Sequence, residues 1–417
     1  MPDALTPDIA LGYVTSLLQA LKPFSYFAWV AAGALLFWLL PVGRRPFAVL
    51  PISLAITLLG EGRPWLLPAI AALVFIGVYA AVRARWSTRF VVAGVIGLYA
   101  GLHFLFGLIT FTDALASLAL TPDYVLFTLG LPVAFSFFRL ISFAVDAPKL
   151  APGELPGLYD YLTWMFFFPT FAHVPFIKHG PFLSQLAALP ARPSDFELGR
   201  GARRIAQALL KGILAGLMYA VMYPASVLLD PFAHPAWQVA AAIPWMALIF
   251  YVGFSGYADL SVGVGHLFGL TLPESFAPLG KLLRTTRARD FWRNWNLTTA
   301  AWLGEYVYAP LGGFRRHPLR NTMLTMILCG LWHSVSVLGL AWGAGLGGMM
   351  VVEHWLAKAR LRQASPPVWQ SGRAFKTLGA ALMFGLIALI NLAITPFAYT
   401  AQNVGGLVNV FVRLVAP

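Results

Sequence analysis

His333, within the pentapeptide GLWHS, is singled out by where it lies. No Asp, Glu, Lys or Arg occurs from Asn321 to Val352, and His333 follows Asn321 by 12 residues (333 − 321). In a helix that separation is ~18 Å, near the middle of a hydrocarbon layer about 30 Å thick. An imidazole at that depth is favoured in its neutral form, and a neutral ring with a free nitrogen can serve as a general base. The same ring can instead tie two helices together through one hydrogen bond. The pattern leaves both readings open, although ionisable groups inside membrane segments are functional by default. His103 is equally deep in the uncharged run 90–112, and local chemistry does not separate it from His333. Asn391 reads as interhelical glue, and His266, in SVGVGHLFG, as a residue placed where backbones approach closely. His173 and His179 flank Pro169 and Pro175 and read as interface residues; His317 and His354 read as solvated, and His234 as part of a Pro-flanked loop.

Other chemistries find little to work with. The sequence has no His-Glu-x-x-His, no cysteine pair and no acid–histidine cluster at ligand spacing, so no metal site is expected. A Gly-x-Ser-x-Gly elbow is missing, which argues against a Ser–His–Asp hydrolase. The single cysteine, Cys329, excludes an intramolecular disulfide and reads as inert packing. Asn296-Leu297-Thr298 matches a glycosylation sequon but abuts Arg293 on an expected cytoplasmic face.

The elements that must position these residues are membrane helices. Of 417 residues, 59% are hydrophobic and 11% charged, and the mean hydropathy is +0.74. A soluble domain carries about 25% charged residues, so this chain cannot be one. Charge-free runs cover 23–43, 65–82, 90–112, 236–258, 321–352 and 377–412; a crossing helix needs ~20 such residues. The alternating ~10-residue segments of a membrane barrel are absent. We expect an all-α, polytopic protein with about eleven membrane segments and a single domain over 1–417. Spans are placed near 24–42, 65–82, 90–111, 124–145, 205–229, 236–257, 321–345 and 376–397. Shorter segments at 46–60, 160–177 and 401–415 are tilted, re-entrant or interfacial. The opening MPDALTPDIA is acidic and does not read as a cleavable signal peptide.

Net charge is +13. The basic residues form short clusters between apolar runs, as at Arg44/Arg45, Arg83/Arg85/Arg89, Lys281–Arg293, Arg315/Arg316/Arg320 and Lys358–Lys376. That is the distribution of cytoplasmic loops, not of a nucleic-acid surface. The segment 297–312 is short, contains Glu305 and is flanked by arginines. It therefore dips in and returns or lies along the interface, which implies a cavity, with Glu305 expected to pair with an arginine. The rule also places Arg315–Arg320 and Lys358–Lys376 on one side, although 321–352 reads as one run; either the run breaks and returns or one loop violates the rule.

Three stretches together resemble the membrane-bound O-acyltransferase family in its bacterial branch, which holds alginate and peptidoglycan O-acetyltransferases and teichoic acid D-alanyltransferases. They are FSGYADLSVGVGHLFGLTLPESF (254–276), FWRNWNLTTAAWLGEYVYAPLGG (291–313) and GLWHS (330–334). LPVAFSFFRLISFAVD (131–146) and YLTWMFFFPTFAHVPFIKHGPFLSQL (161–186) are similar more loosely, so the likeness runs over about 125–350. The resemblance maps the family's intramembrane histidine onto His333, which separates it from His103, and the second polar position onto Asn296. The branch usually has histidine there. Asparagine, found in many eukaryotic members, cannot act as acid or base but can orient a thioester or support an oxyanion.

What the resemblance implies is acyl transfer, with an acetyl group as the expected cargo. No cofactor is expected to be bound. The donor substrate would be a thioester on coenzyme A or an acyl carrier protein, entering a central tunnel from the cytoplasm. The acceptor would be a hydroxyl of an envelope glycan on the opposite face, with His333 as base. Trp292, Trp295, Trp302 and Trp332 are candidate tunnel walls, and Arg293 with its basic neighbours suits an acidic donor. The same tryptophans could equally be interfacial anchors, and the arginines could serve topology alone. The implied setting is the bacterial inner membrane, in contact with lipid and not with nucleic acid, with a periplasmic acetyltransferase as a possible partner. D-alanyl transfer from a carrier protein, transport of an envelope precursor and a non-catalytic scaffold are the competing readings.

Overall fold

The computed structural model describes residues 23–60, 66–110, 131–151, 153–171, 173–222, 227–228, 230–333, 335, 337–360, 373–391 and 413. Every regular element among them is helical. In chain order the helices are α1 Pro23–Leu39, α2 Arg45–Ala55, α3 Leu66–Arg83, α4 Thr88–Thr110, α5 Leu131–Asp146, α6 Leu158–Met165, α7 Phe168–Phe171, α8 His179–Ala187, α9 Asp195–Val221 and α10 Ala236–Leu267. They continue as α11 Leu279–Leu282, α12 Ala288–Trp292, α13 Leu297–Leu303, α14 Pro318–His333, α15 Val337–Arg360 and α16 Arg373–Asn391. Turns of π-helix, Ile56–Gly60 and Gly304–Tyr308, extend α2 and α13. Among the described residues, four stretches are long and apolar enough to cross a membrane: Val42–Leu59, Glu197–Val221, Ala236–Leu267 and Val337–Lys358. Shorter apolar helices lie at Tyr26–Leu39, Ala69–Arg83, Thr88–Leu102 and Gly379–Ile390. The segment 401–415 falls almost wholly outside the described residues.

The chain divides into two compact units, one drawn from Met1–Ile96, Ala119–Gln207 and Asp259–Leu272 and the other from Gly97–Leu118, Ala208–Ala258 and Pro273–Pro417. The first is held by buried cations that find backbone acceptors. Arg45 is 3% exposed and donates to the carbonyls of Leu40, Trp38, Pro190 and Ala191, with its guanidinium over the Trp38 ring. It is thus a structural clasp rather than a solvated loop charge, because carbonyl dipoles replace the water it gives up. Arg139 is 1% exposed and donates to the carbonyls of Trp164, Met165 and Thr170, fixing the break between α6 and α7. Glycines 201 and 263 bring α9 and α10 together, since a Cβ on Gly263 would sit 2.9 Å from the Gly201 carbonyl oxygen. Beside that crossing, Arg204 meets Asp259 at 3.0 Å and His266 Nδ1 meets Glu197 at 2.6 Å. His266 therefore lies at a close backbone approach, as its glycine-rich setting suggests. His179 departs from expectation. It is buried edge-on against Phe143 and Trp164 rather than interfacial, and burial lowers its pKa from the ordinary histidine value.

The second unit corrects one expected span. The run 321–345 is not one crossing helix: α14 ends at His333 and α15 begins at Val337. The two pack as an antiparallel hairpin because glycines remove the side chains between them. A Cβ on Gly330 would overlap the Gly339 carbonyl, and one on Gly343 would overlap that of Met326; Gly347 lies against Met323 and Met326. The 16 residues of α14 span ~24 Å, less than the ~30 Å core, so His333 lies at the turn of the hairpin. The chain returns toward the end where it entered, which puts Arg315–Arg320 and Lys358 at one end.

Candidate active site

The stretch 273–297 is anchored before it reaches the site. Ala277 N–H donates to the Asn294 carbonyl and Leu297 N–H to that of Ser275, at 3.0 and 2.7 Å. The Tyr251 hydroxyl donates to the Ala277 carbonyl at 2.6 Å. Trp295 is a packing wedge in this arrangement. Its ring lies near-parallel to Phe291 and Phe250 and edge-on to Phe276. The start of α12 is held from α15, where Glu353 Oε1 accepts from Ala288 N–H at 2.5 Å, as a carboxylate at a helix N-terminus should.

Between α12 and α13, Asn296 adopts φ 43°, ψ 56°. Left-handed backbone is unfavourable for most residues, and Asn, Asp and His are among those enriched there. The geometry therefore gives a local reason for an asparagine at this position. Asn296 is 6% exposed, and its Oδ1 is enclosed with no hydrogen-bond partner. The π turn that extends α13 packs on α14. From there the chain turns through Gly312 and Gly313, at φ 108° and 54°, values that glycine adopts without strain. Asn321 Nδ2 closes that turn by donating to the carbonyls of Gly313 and Arg316.

His333, the last residue of α14, is half-buried. Its ring lies 4.4 Å from that of Trp332 and 4.9 Å from that of Trp342, the latter at 70°. Trp342, 2% exposed, also meets Trp292 edge-on at 5.8 Å. One aromatic series thus joins His333, Trp342 and Trp292. The buried Tyr99 hydroxyl donates to the Trp332 carbonyl at 2.5 Å. This satisfies a carbonyl that the end of α14 leaves without a helical partner.

The expected residues therefore separate. His333, Trp332 and Trp292 come together through Trp342, and Asn296 lies one step along the chain from the Trp295 wedge. Trp302 is buried and stacks on Tyr306, 5.1 Å away. Arg293 is at the surface with its side chain 69% exposed, 3.8 Å from Asp290. Arg284, Arg287, Arg289, Arg315, Arg316 and Arg320 are likewise exposed. Glu305 is exposed rather than enclosed, so no buried carboxylate has to be neutralised there. His103 lies in α4, its side chain outside the described set. Trp342, Tyr99 and Glu353 are additions the sequence reading missed; the last is a lone carboxylate just after a 32-residue uncharged run, which was a usable signal.

Residues 66–390 match the family described as MBOAT, membrane-bound O-acyltransferase. Among curated proteins the chain is 28% identical over 304 residues to the probable alginate O-acetylase AlgI of Pseudomonas aeruginosa, covering 70% of this chain and 56% of that protein. It is 28% identical over 265 residues to the peptidoglycan O-acetyltransferase of Helicobacter pylori, covering 54% and 47%. A teichoic acid D-alanyltransferase of Streptococcus thermophilus is 22% identical over 291 residues, covering 64% and 68%. The chain spans about half the length of the alginate and peptidoglycan relatives.

Proposed function

The chain belongs to the membrane-bound O-acyltransferase family, and we propose that it moves an acyl group, acetyl in the first instance, from a thioester to a hydroxyl of an envelope glycan. The observation that carries this is His333, half-buried at the turn of a glycine-packed hairpin and flanked by the rings of Trp332 and Trp342. The alginate and peptidoglycan relatives supply the substrate class by their names. In this reading a donor carried on coenzyme A or a carrier protein enters a central tunnel from the cytoplasm, past the exposed arginines. The acceptor arrives from the opposite face, in a multi-pass protein of about eleven membrane segments in the inner membrane. A periplasmic acetyltransferase is a candidate partner.

His333 takes the proton of the acceptor hydroxyl as its oxygen bonds to the thioester carbonyl carbon, and the carbonyl π pair moves onto oxygen. When the tetrahedral species collapses the C–S bond breaks, and the imidazolium returns the proton to the departing thiolate. One general base contributes typically ~10²–10⁴-fold; positioning of the reactants and exclusion of water supply the rest. The Streptococcus relative favours a second reading, D-alanyl transfer by the same chemistry.

The test is ester content of the envelope glycan in a null strain complemented with His333→Ala. We expect acyl ester to vanish at unchanged membrane abundance. Ester retained at the wild-type level would exclude His333 as base. Mass spectrometry of the released acyl group separates acetyl from alanyl.

A further inference from the structure

Enclosed side-chain atoms without a hydrogen-bond partner are unevenly spread among the described residues. Four fall within the eight residues 292–299: Trp292 Nε1, Asn294 Oδ1, Asn296 Oδ1 and Thr299 Oγ1. A buried polar atom left unpaired costs ~1–3 kcal/mol, so each calls for an explanation. Such a group of costs on one segment marks a surface shaped for something other than itself. Asn294 is partly accounted for, since its Nδ2 donates to the Asp290 carbonyl. Trp292 is the most telling of the four. As a residue it is half-buried, yet its one polar atom is on the enclosed side. A half-buried tryptophan ordinarily turns its N–H outward to water or headgroups. An indole N–H donates and never accepts, so an inward N–H calls for an interior acceptor. The indole meets Trp342, whose ring also meets His333.

Resting on the acyl-transfer reading, we propose that Trp292 Nε1–H is the donor that holds the thioester carbonyl oxygen and stabilises the oxyanion formed when the acceptor attacks. Asn296 fits this division of labour. The atom it encloses is an acceptor, Oδ1, which would repel an oxyanion and so leaves the donor's role to Trp292. Donor and base thus serve different reactants: Trp292 the acyl oxygen, His333 the alcohol. As the C–O bond forms, the π pair settles on the former carbonyl oxygen, where the indole N–H meets it, and it returns to carbon as the thiolate leaves.

The decisive experiment removes the N–H and keeps the ring, by site-specific incorporation of 3-benzothienylalanine at position 292 in the full-length protein. Trp292→Phe serves as a second variant and His333→Ala as a parallel control. The readout is the rate of ester accumulation on the envelope glycan after induction in the null strain, normalised to protein in the membrane, so the cell supplies the donor. Losing one oxyanion donor is expected to slow the reaction ~10²–10³-fold, in both position-292 variants. Wild-type rates in the sulfur isostere would overturn the assignment. If His333→Ala is inactive while the isostere is unimpaired, Trp292 alone is wrongly assigned; if His333→Ala retains wild-type ester, His333 is not the base and the mechanism on which the Trp292 assignment rests falls.

Discussion

Tyr99 is the residue whose role is most sharply set by geometry. Its hydroxyl donates to the carbonyl of Trp332, the residue before His333, in the last turn of α14. A helix end leaves its final carbonyls unpaired, and here that end carries the proposed base, so the hydrogen bond fixes the direction in which the His333 ring leaves the backbone. Tyr99→Phe should cost about 1 kcal/mol of that alignment. We expect kcat to fall about fivefold with KM for the donor changed by no more than about twofold. A rise in KM with kcat intact would make Tyr99 part of donor binding instead. The sequence exposed His333 because an uncharged run makes any ionisable group conspicuous. It hid Tyr99 and Trp342, since an aromatic within an apolar run looks the same whether it meets lipid or a reactive imidazole. The left-handed Asn296 was equally hidden, because a single backbone angle leaves no periodicity to read.

At the scale of elements, the α14–α15 hairpin explains why the site lies where it does. Its break was not legible from hydropathy: 321–352 contains neither charge nor proline, and apolar composition alone does not distinguish a long helix from two short ones. The usable signal was the glycine spacing, with 339, 343 and 347 each four apart on one face of α15. Membrane helices associate through such small-residue contacts. Gly343 has no room for a side chain, whereas a Cβ on Gly348 would meet only the Met323 methyl at 3.9 Å. Gly343→Ala should therefore destabilise the detergent-solubilised protein by ~1–3 kcal/mol, lowering its Tm and folded yield. Gly348→Ala should leave both unchanged. Equal Tm values for the two variants would mean that the helices are not packed through this seam.

At the scale of the whole molecule, the number of charge-free runs was a sound guide to the membrane class but not to connectivity. Helices α1, α3, α4, α10 and α16 lie close to expected segments. The segment placed at 160–177 contains a pair of short helices, separated where Arg139 gathers backbone carbonyls. The hairpin settles the charge conflict in favour of a run that breaks and returns. Arg315, Arg316, Arg320 and Lys358 can then all obey the positive-inside bias, with Glu353 tying α15 to the start of α12 near that same end. This arrangement makes a prediction that owes nothing to catalysis. With the one cysteine, buried Cys329, replaced by alanine, new cysteines at Arg316 and Lys358 should react with a membrane-impermeant maleimide from the same side. Inverted vesicles and intact cells should give opposite results for the pair together. Labelling of the two positions from opposite sides would require α14 and α15 to complete a single crossing, and His333 would then lie within a continuous helix rather than at a turn.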